Sequence, residues 1–257
     1  MSRTGFFGQV VVVTLLGFLV AAAPVAAQLI VDGDFEGIKA GKYLRRDDKG
    51  QDWYESRLDT KEGRGLLKLS TRKIGGNRTH KAIIKAHPEL NTYLTQRFTS
   101  GQKGDFTVQF DVYIKEILPD DNRSAFFMVG SDKDGKKGPN STGVERFVFM
   151  GFENAAEPGK INLFARESKT KWENKTIVAP NLELGEWHTI IVNIHVADQI
   201  YEVSIKGVMD EPTALDAFRA GKRVPKRLTH LSFASWNDGA GTFYVDNVSA
   251  TKEVSGL

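Results

Sequence analysis

Three aromatic positions in this chain stand beside polar side chains that could read the hydroxyl groups of a sugar. Trp172 lies in the polar segment SKTKWENK, Trp236 begins the segment WNDGAG, and Trp53 and Tyr54 follow another polar stretch. An aromatic face packs against a pyranose ring, while nearby amides and carboxylates bond its hydroxyls. Each ring could equally be a core or rim residue. The candidate sugar-binding residues from these segments are Trp53, Tyr54, Trp172, Trp236, Asn237 and Asp238.

Charge is distributed unevenly along the chain. Between Arg64 and Lys103 there are nine Lys or Arg residues and a single acid, Glu89. The whole chain has a formal net charge of only +3, so the remainder is acidic on balance. A segment of one sign attracts polymers of the opposite sign. We therefore expect Arg78 and Lys85 to help bind a polysaccharide, with anionic glycans favoured.

The same residue types could instead serve a polysaccharide lyase. Such an enzyme neutralises a uronate carboxylate with a cation or amide and removes the α-proton with a His or Tyr. The candidates for these roles are His80, Tyr93, Arg97, Arg146 and Tyr201. Glycoside hydrolysis needs two closely spaced carboxylates, and the single-strand spacing Glu-x-Asp-x-x-Glu does not occur in the sequence. Cleavage and simple binding both stay open at this point.

Alternation of apolar and polar residues predicts the elements that must position these side chains. It is clearest in Phe106–Ile117 and recurs in about twelve short segments separated by Gly, Pro and Asn turns. Such a series predicts a single antiparallel β-sandwich, a jelly roll of two packed sheets. One short helix is predicted over Thr213–Ala220, between Pro212 and Gly221.

The first and last strand-like segments are predicted to be neighbours. Leu29–Glu36 reads LIVDGDFE, and Gly241–Ala250 reads GTFYVDNVSA. Pairing them would cover a sheet edge that otherwise invites aggregation. We therefore expect the two ends of the folded domain to close the sandwich.

These end motifs, together with GEWHTIIVNIHV followed by IYEVSIKG, resemble the secreted concanavalin A-like, laminin-G-like jelly-roll domains. The ends are also similar to those of bacterial carbohydrate-binding modules. The resemblance implies a non-catalytic carbohydrate-binding domain, with an endo-acting polysaccharide lyase or glycoside hydrolase of the same fold as the alternative. It also implies that Trp187 is a packing residue.

In carbohydrate-binding modules, acidic residues of the two end motifs commonly help hold a structural calcium ion. Carried over to this sequence, those residues are Glu36 and Asp246, with Asp34 as a third candidate ligand. Calcium takes six to eight oxygen ligands, so carboxylates from both chain ends would suit it. The last motif has Asn247 where the modules often have a second Asp. The alternative is that these are ordinary polar positions on paired strands.

The first 27 residues have the pattern of a secretory signal peptide. Arg3 precedes an apolar run that ends in AAAPVAA, which predicts cleavage after Ala27 and a folded domain over residues 28–257. A membrane anchor is the alternative, but the run is short for crossing roughly 30 Å of hydrocarbon. We expect a protein of the bacterial periplasm, envelope or exterior, whose partner is a glycan and not a nucleic acid. Cysteine is absent, which excludes disulfides and zinc–thiolate sites.

Overall fold

The structure is a computed structural model that describes residues 26–41, 44, 52–56, 63–119, 122–132, 145–168, 173–220, 223–236 and 239–252. Within these ranges the chain forms fifteen strands in two sheets, and every strand pairing is antiparallel. The described ranges hold no helix that is long and apolar enough to cross a membrane.

The eight-stranded sheet has the order β13-β12-β11-β6-β15-β4-β3, and β1 also pairs with β15. Its strands are β1 (Ala27–Gln28), β3 (Leu67–Ser70), β4 (Lys81–Ile84), β6 (Phe106–Ile117), β11 (Trp187–His195), β12 (Ile200–Ile205), β13 (Thr213–Asp216) and β15 (Gly241–Lys252). The seven-stranded sheet has the order β10-β9-β8-β7-β14-β5-β2. Its strands are β2 (Trp53–Glu55), β5 (Thr92–Gln102), β7 (Arg123–Gly130), β8 (Arg146–Asn154), β9 (Lys160–Ala165), β10 (Thr176–Glu183) and β14 (Leu228–Ser235).

The main hydrophobic core lies between the two sheets. Alternate residues of β6 are buried, as the period-two pattern requires. Phe110 of β6 crosses the gap, with its ring centroid 4.5 Å from that of Phe127 in β7 and 5.0 Å from that of Phe233 in β14. These contacts join the sheets through edge-to-face and tilted aromatic pairs. The predicted antiparallel β-sandwich is confirmed.

The predicted helix over Thr213–Ala220 is wrong, because Thr213–Asp216 forms strand β13. This strand pairs with β12, with Leu215 opposite Tyr201, and buries Leu215 to 4% exposure. Eight residues give a helix too few hydrogen bonds to offset the cost of its first turn. The edge of β12 offers unpaired backbone groups instead, and Pro212 is tolerated just before an edge strand.

The two chain ends lie side by side, but the strand pairing joins Ala27–Gln28 to residues 251–252 and so falls just outside the predicted segments Leu29–Glu36 and Gly241–Ala250. Gln28 pairs with Thr251 in β15, and the Leu29 amide still donates to the Ala250 carbonyl at 2.7 Å. Residues 30–36 then leave the sheet, with φ of 50° at Asp32 and 59° at Phe35. Strand β15 is not an edge, because it lies between β6 and β4.

The irregular segment after β1 is held by both sheets. The side-chain amide of Gln96, in β5, bonds both backbone groups of Val31, at 2.7 Å to its N–H and 2.8 Å to its carbonyl. On the other side, the Val248 amide donates to the Gly33 carbonyl at 2.8 Å. Phe35 is fully buried beside Trp53, with ring centroids 5.0 Å apart. The segment therefore places the Phe35 side chain in the core from a turn and not from a strand.

Gly33 allows the close approach between this segment and β15. A methyl group at this position would lie 1.7 Å from the Val248 carbonyl oxygen. We predict that Gly33→Ala lowers the free energy of unfolding by about 1–3 kcal/mol, because backbone must move to relieve the overlap. Urea denaturation measures this as a lower midpoint at constant slope.

The matched control is Gly104→Ala, since a methyl group there meets no atom within 4 Å. It should change the free energy of unfolding by less than about 0.5 kcal/mol. Equal stability of the two variants would contradict the proposed docking contact.

Candidate functional site

The outward face of the seven-stranded sheet carries a second aromatic cluster, separate from the core. Side chains alternate between the two faces of a strand, so Leu94 packs in the core while its neighbour Tyr93 points outward. The buried members of the outward cluster are Tyr93, Phe126, Met128, Phe149, Phe164, Phe218, Ala234 and Trp236. A sheet face turned away from the core is ordinarily polar, so this apolar surface marks the face as a candidate site.

Two arginines lie on this aromatic surface. The guanidinium carbon of Arg146 is 4.4 Å from the ring centroid of Phe149 and 5.0 Å from that of Trp236. The guanidinium carbon of Arg166 is 5.6 Å from the same Phe149 ring. Cations over aromatic faces are stabilised electrostatically, more strongly where water is excluded. Both side chains are nearly buried, with 8% of Arg146 and 6% of Arg166 exposed.

A third arginine adds its positive charge to the pair. Burial lowers the pKa of Arg166, and the nearby charge of Arg123 lowers it further. Arginine nonetheless stays protonated at neutral pH. Arg123 and Arg166 therefore lie close enough for their like charges to interact in a largely water-free environment.

The outward aromatic residues, together with Arg123, Arg146 and Arg166, form what we call the arginine–aromatic cluster. Two chain segments frame it. One follows β13, where the Phe218 amide donates to the Phe147 carbonyl at 2.7 Å and places its ring 5.4 Å from that of Phe149. The other follows β14, where Trp236 stacks on Phe126 with centroids 4.2 Å apart and planes at 25°. Both segments pack across the outward face of the sheet and hold the rings in place.

The predicted sugar-binding aromatics have different positions. Trp53 has no exposed surface, packs in the main core and donates its indole N–H to the Asp32 carbonyl at 2.8 Å. It offers no face to a sugar, so the predicted role for Trp53 is wrong. Tyr54 is also buried, opposite Thr95 in β5. Trp236 lies in the arginine–aromatic cluster, while Trp172, Asn237 and Asp238 lie outside the described residues.

The basic segment does not share a face with Trp236. Lys85 directly follows β4 of the eight-stranded sheet, and the exposed Arg78 lies in the loop before that strand. Trp236 follows β14 of the seven-stranded sheet. The two groups therefore lie on different sheets and do not share one surface, and a role for Arg78 and Lys85 in binding a polysaccharide stays a prediction.

The five residues considered for a lyase are likewise divided. Tyr93 and Arg146 lie on the outward face and both contact Trp236, with the Tyr93 and Trp236 centroids 6.4 Å apart. Arg97 is on the same strand as Tyr93, in the same alternation. His80, however, lies beside the eight-stranded sheet, where its ring pairs with the Glu36 carboxylate at 2.7 Å.

Tyr201 is fully buried in the main core. Burial, aided by the negative charge of Glu167, raises the pKa of Tyr201 well above its usual range. Such a hydroxyl is a poor base at neutral pH. The five residues do not form one catalytic group, because His80 and Tyr201 lie in other layers of the sandwich.

Sequence reasoning missed Arg123, Arg166 and Phe149. For Arg166 a signal exists, since the alternation in INLFARE puts Phe164 and Arg166 on one face and Ile161 and Leu163 on the other. The position of Phe149 relative to Arg146 is harder to predict. A register shift between β7 and β8 at this point leaves Phe147 and Val148 both in the core, and such a bulge breaks the period-two count.

Comparison of the whole fold gives a clear assignment. The structure is similar to that of a carbohydrate esterase from the Shiga toxin-encoding bacteriophage phi24B, with a TM-score of 0.53 at 13% identity over 90% of this chain and 100% of the other. It is also similar to the carbohydrate recognition domain of Emp47p, with a TM-score of 0.51 at 10% identity over 88% and 98% of the two chains. The fold is concanavalin A-like. No family model and no curated protein sequence matches the chain.

In this concanavalin A-like fold, the residues predicted to hold calcium make other contacts. Asp246 has no exposed surface, and its Oδ2 accepts hydrogen bonds from Asn77 Nδ2 at 2.7 Å and Thr79 Oγ1 at 2.9 Å. Its Oδ1 accepts the Asn247 amide at 2.8 Å. Burial raises the pKa of Asp246, and these hydrogen bonds and the charge of Lys81 act in the opposite direction.

A lysine supplies the positive charge near these carboxylates. Lys81 is fully buried, and its ammonium donates to the backbone carbonyl of Thr79. Burial lowers the pKa of Lys81, while the negative charges of Asp246 and Glu36 oppose that change. Glu36 itself accepts the His80 amide at 2.9 Å.

The predicted calcium ligands therefore do not fit an ion together. Asp34 bonds only locally, accepting the Glu36 amide at 3.3 Å. Among the described residues, no three His, Asp or Glu side chains are grouped as a metal site requires. Asp246 has its hydrogen-bonding positions filled by Asn77, Thr79 and Asn247, and the nearby cation is that of Lys81.

We predict that Asp246→Ala lowers the free energy of unfolding by roughly 2–5 kcal/mol. The change removes the acceptor of Asn77 and Thr79 and leaves the buried Lys81 ammonium with Glu36 alone of its two nearby negative charges. The loss should be equal in buffers that contain calcium or a chelator, because these contacts need no ion. Chemical denaturation in both buffers measures it.

The control is Asp105→Ala, which removes an exposed partner 3.0 Å from His195 and should cost less than about 1 kcal/mol. A wild-type protein that loses stability when the chelator is added would instead support a calcium ion at Glu36 and Asp246.

Proposed function

We propose that this protein binds a carboxylated polysaccharide on the outward face of its seven-stranded sheet. The observation that carries the proposal is the arginine–aromatic cluster, in which Arg146 and Arg166 lie over one Phe149 ring and Arg123 adds a third charge. A guanidinium group matches a carboxylate with two parallel hydrogen bonds. A uronate residue would present both the carboxylate and an apolar ring face.

The outer residues of this face supply a route to the buried cations. Arg123 is partly exposed and Arg97 is exposed, whereas Arg146 and Arg166 are nearly buried. Lys175 also faces the cluster, 5.8 Å from the Phe164 ring centroid, and pairs with Glu153 at 2.7 Å. Charges graded from the rim inward favour an anionic ligand over a neutral one.

Binding without cleavage accounts for the arrangement of residues better than lyase chemistry does. A lyase needs an accessible base and a neutralising cation at one sugar residue, but His80 lies beside the other sheet and Tyr201 is fully buried in the main core. His230 is on the same sheet, but it is 2% exposed and its Nδ1 lies 2.8 Å from Thr229 Oγ1. Binding without cleavage needs only cations and aromatic side chains on one face, which the arginine–aromatic cluster provides.

The predicted cellular location belongs to this proposal. The signal-like segment at residues 1–27 lies outside the described residues except for Ala26 and Ala27. Export would bring the domain into contact with polysaccharides of the bacterial envelope or its surroundings.

We predict that Arg123→Gln weakens binding to alginate or polygalacturonate by about tenfold or more, because a hydrogen bond to a charged group contributes roughly 1.5–3 kcal/mol. Isothermal titration calorimetry measures the change. Lys206→Gln is the matched control, since it removes one exposed charge from the turn after β12 and should leave the affinity unchanged. Equal affinity of the Arg123 variant and wild type, or equal binding of neutral laminarin, would refute the proposal.

A second measurement separates binding from catalysis. The pure protein, incubated with the same polysaccharides, should release neither unsaturated chain ends nor new reducing ends. Absorbance of unsaturated uronates in the ultraviolet and a reducing-sugar assay follow the two products. Steady release of unsaturated ends would identify the lyase alternative, and release of reducing ends alone would identify a hydrolase.

A further inference from the structure

A cavity lies on the outward face of the eight-stranded sheet, on the side of the sandwich opposite the arginine–aromatic cluster. It has a volume of about 360 Å³ and is formed by the loop after β3, the end of β4 and the outward side chains of β6 and β15. The residues that matter for its chemistry are Arg72, Lys73, Lys85, Lys115, Thr242 and Tyr244. It therefore combines part of the basic segment with one more lysine from β6.

The cavity is rich in positive charge that the described protein does not neutralise. Lys115 is 4.0 Å from the Glu116 carboxylate, an exposed and weak contact. Arg72, Lys73 and Lys85 form no ion pair with any residue in the described parts of the chain. Four cations beside a single exposed carboxylate, that of Glu116, repel one another, which is a cost that a bound anion would relieve.

The loop that carries Arg72 and Lys73 is held in place before any ligand arrives. Ile74 and Asn77 exchange backbone hydrogen bonds at 3.1 and 2.9 Å. The Trp187 indole N–H donates to the Ile74 carbonyl at 3.1 Å, and the ring packs against Gly75, whose φ is 50°. An added methyl group at Gly75 would lie 2.8 Å from that ring.

Two further contacts hold the rest of the cavity. The buried Lys81 ammonium donates to the Arg72 carbonyl at 3.4 Å. On the other wall, Thr242 Oγ1 accepts the Ala86 amide at 3.1 Å and so positions the backbone next to Lys85. Preorganised cations lose less conformational entropy when a ligand binds.

Tyr244 adds an uncharged hydrogen-bond donor to the cavity wall. Its ring is 6% exposed and packs edge-on against Tyr113, with centroids 5.9 Å apart. Burial raises the pKa of Tyr244, and the nearby charge of Arg72 opposes this only in part. The hydroxyl therefore keeps its proton at neutral pH and can donate to an anion.

We propose that this cavity is a second binding site, which takes the sulfate ester groups of a sulfated polysaccharide. A tetrahedral sulfate has several acceptor oxygens, and the cavity offers a guanidinium group, three ammonium groups and a phenolic hydroxyl as donors. Four cations exceed what one uronate carboxylate needs. The volume is large enough for a sugar unit that carries the ester.

This proposal does not depend on the proposed function of the other face. The cavity belongs to β4, β6 and β15, whereas the arginine–aromatic cluster belongs to the seven-stranded sheet. Each site can therefore be removed while the other is kept, and the two experiments can fail separately.

The test compares two double variants of equal charge for binding to heparin, which serves as the sulfated probe. Arg72→Gln with Lys85→Gln removes two cations from the cavity. Lys206→Gln with Lys226→Gln removes two exposed lysines elsewhere. We expect the cavity variant to bind heparin roughly tenfold or more weakly and with a shallower salt dependence, since fewer counterions are released. The control variant should stay within about twofold of wild type.

Three further measurements make the outcome decisive. Circular dichroism and the melting temperature establish that both double variants are folded. Dextran sulfate, which carries sulfate esters but no carboxylates, should show the same loss of affinity in the cavity variant, because this probe does not engage a site for uronates. Inorganic sulfate should raise the melting temperature of the wild type more than that of the cavity variant, as expected for a ligand that binds only the folded state.

Equal loss of heparin affinity in the two double variants would overturn the proposal, because it would show attraction by net charge alone. Tighter binding of single-stranded DNA or of inorganic phosphate than of heparin and sulfate, lost in the cavity variant, would overturn the assignment to sulfate esters. Unchanged affinity of the cavity variant for dextran sulfate would also overturn the proposal, because it would show that sulfate esters are not bound in the cavity.

Discussion

The buried carboxylate of Asp246 is the interaction on which the eight-stranded sheet most depends. It lies in β15, which pairs with β6, β4 and β1, at the point where the register to β6 shifts and Asn247 takes a φ of 50°. Burying a charge is costly unless hydrogen bonds compensate. Here Asn77 and Thr79 provide them. The loop before β4 is therefore fixed to β15 by this internal contact.

This contact also links structure to the surface chemistry of that sheet. The Thr79 carbonyl accepts a hydrogen bond from the Lys81 ammonium, and the same ammonium also donates to the Arg72 carbonyl. A chain of hydrogen bonds thus runs from the buried carboxylate to the rim of the basic cavity. On the opposite sheet, the guanidinium groups of Arg146 and Arg166 lie over the Phe149 ring.

The sequence was a good guide to the fold and a partial guide to the site. Strands such as β6 and β11 could be predicted because one face of each is buried and the other is polar, which is a local signal. That the two ends of the domain are neighbours could be predicted as well, but not that Ala27 and Gln28 form the paired strand. The conformation of residues 30–36 could not be predicted. Phe35 lies in a turn but is fully buried, so its apolar side chain gives the same signal in the sequence as a buried strand residue. The strand at β13 could not be predicted, because Pro212 before it and Gly221 after it are as typical of the ends of a helix as of a short edge strand.

The face on which each candidate site residue lies depends on contacts between strands that are far apart in the sequence. Trp53 and Trp236 stand in similar polar contexts, yet one is enclosed in the core and the other joins the arginines on the outward face. Arg78 and Lys85 are close to Tyr93 in sequence but belong to the other sheet. Which sheet receives each strand follows from the jelly-roll crossovers, and no window of neighbouring residues contains that information.

The position of the two described ends has a mechanical consequence. Ala27 lies opposite Lys252, so a force applied at these ends would open the β1–β15 ladder one hydrogen bond at a time and would not load all of its bonds together. Peeling of this kind begins at low force. It would meet resistance at Val31, where the side chain of Gln96 holds both backbone groups and joins the segment to the other sheet. The β1–β15 pairing would therefore break first, and further extension would have to break the contacts between Val31 and the seven-stranded sheet.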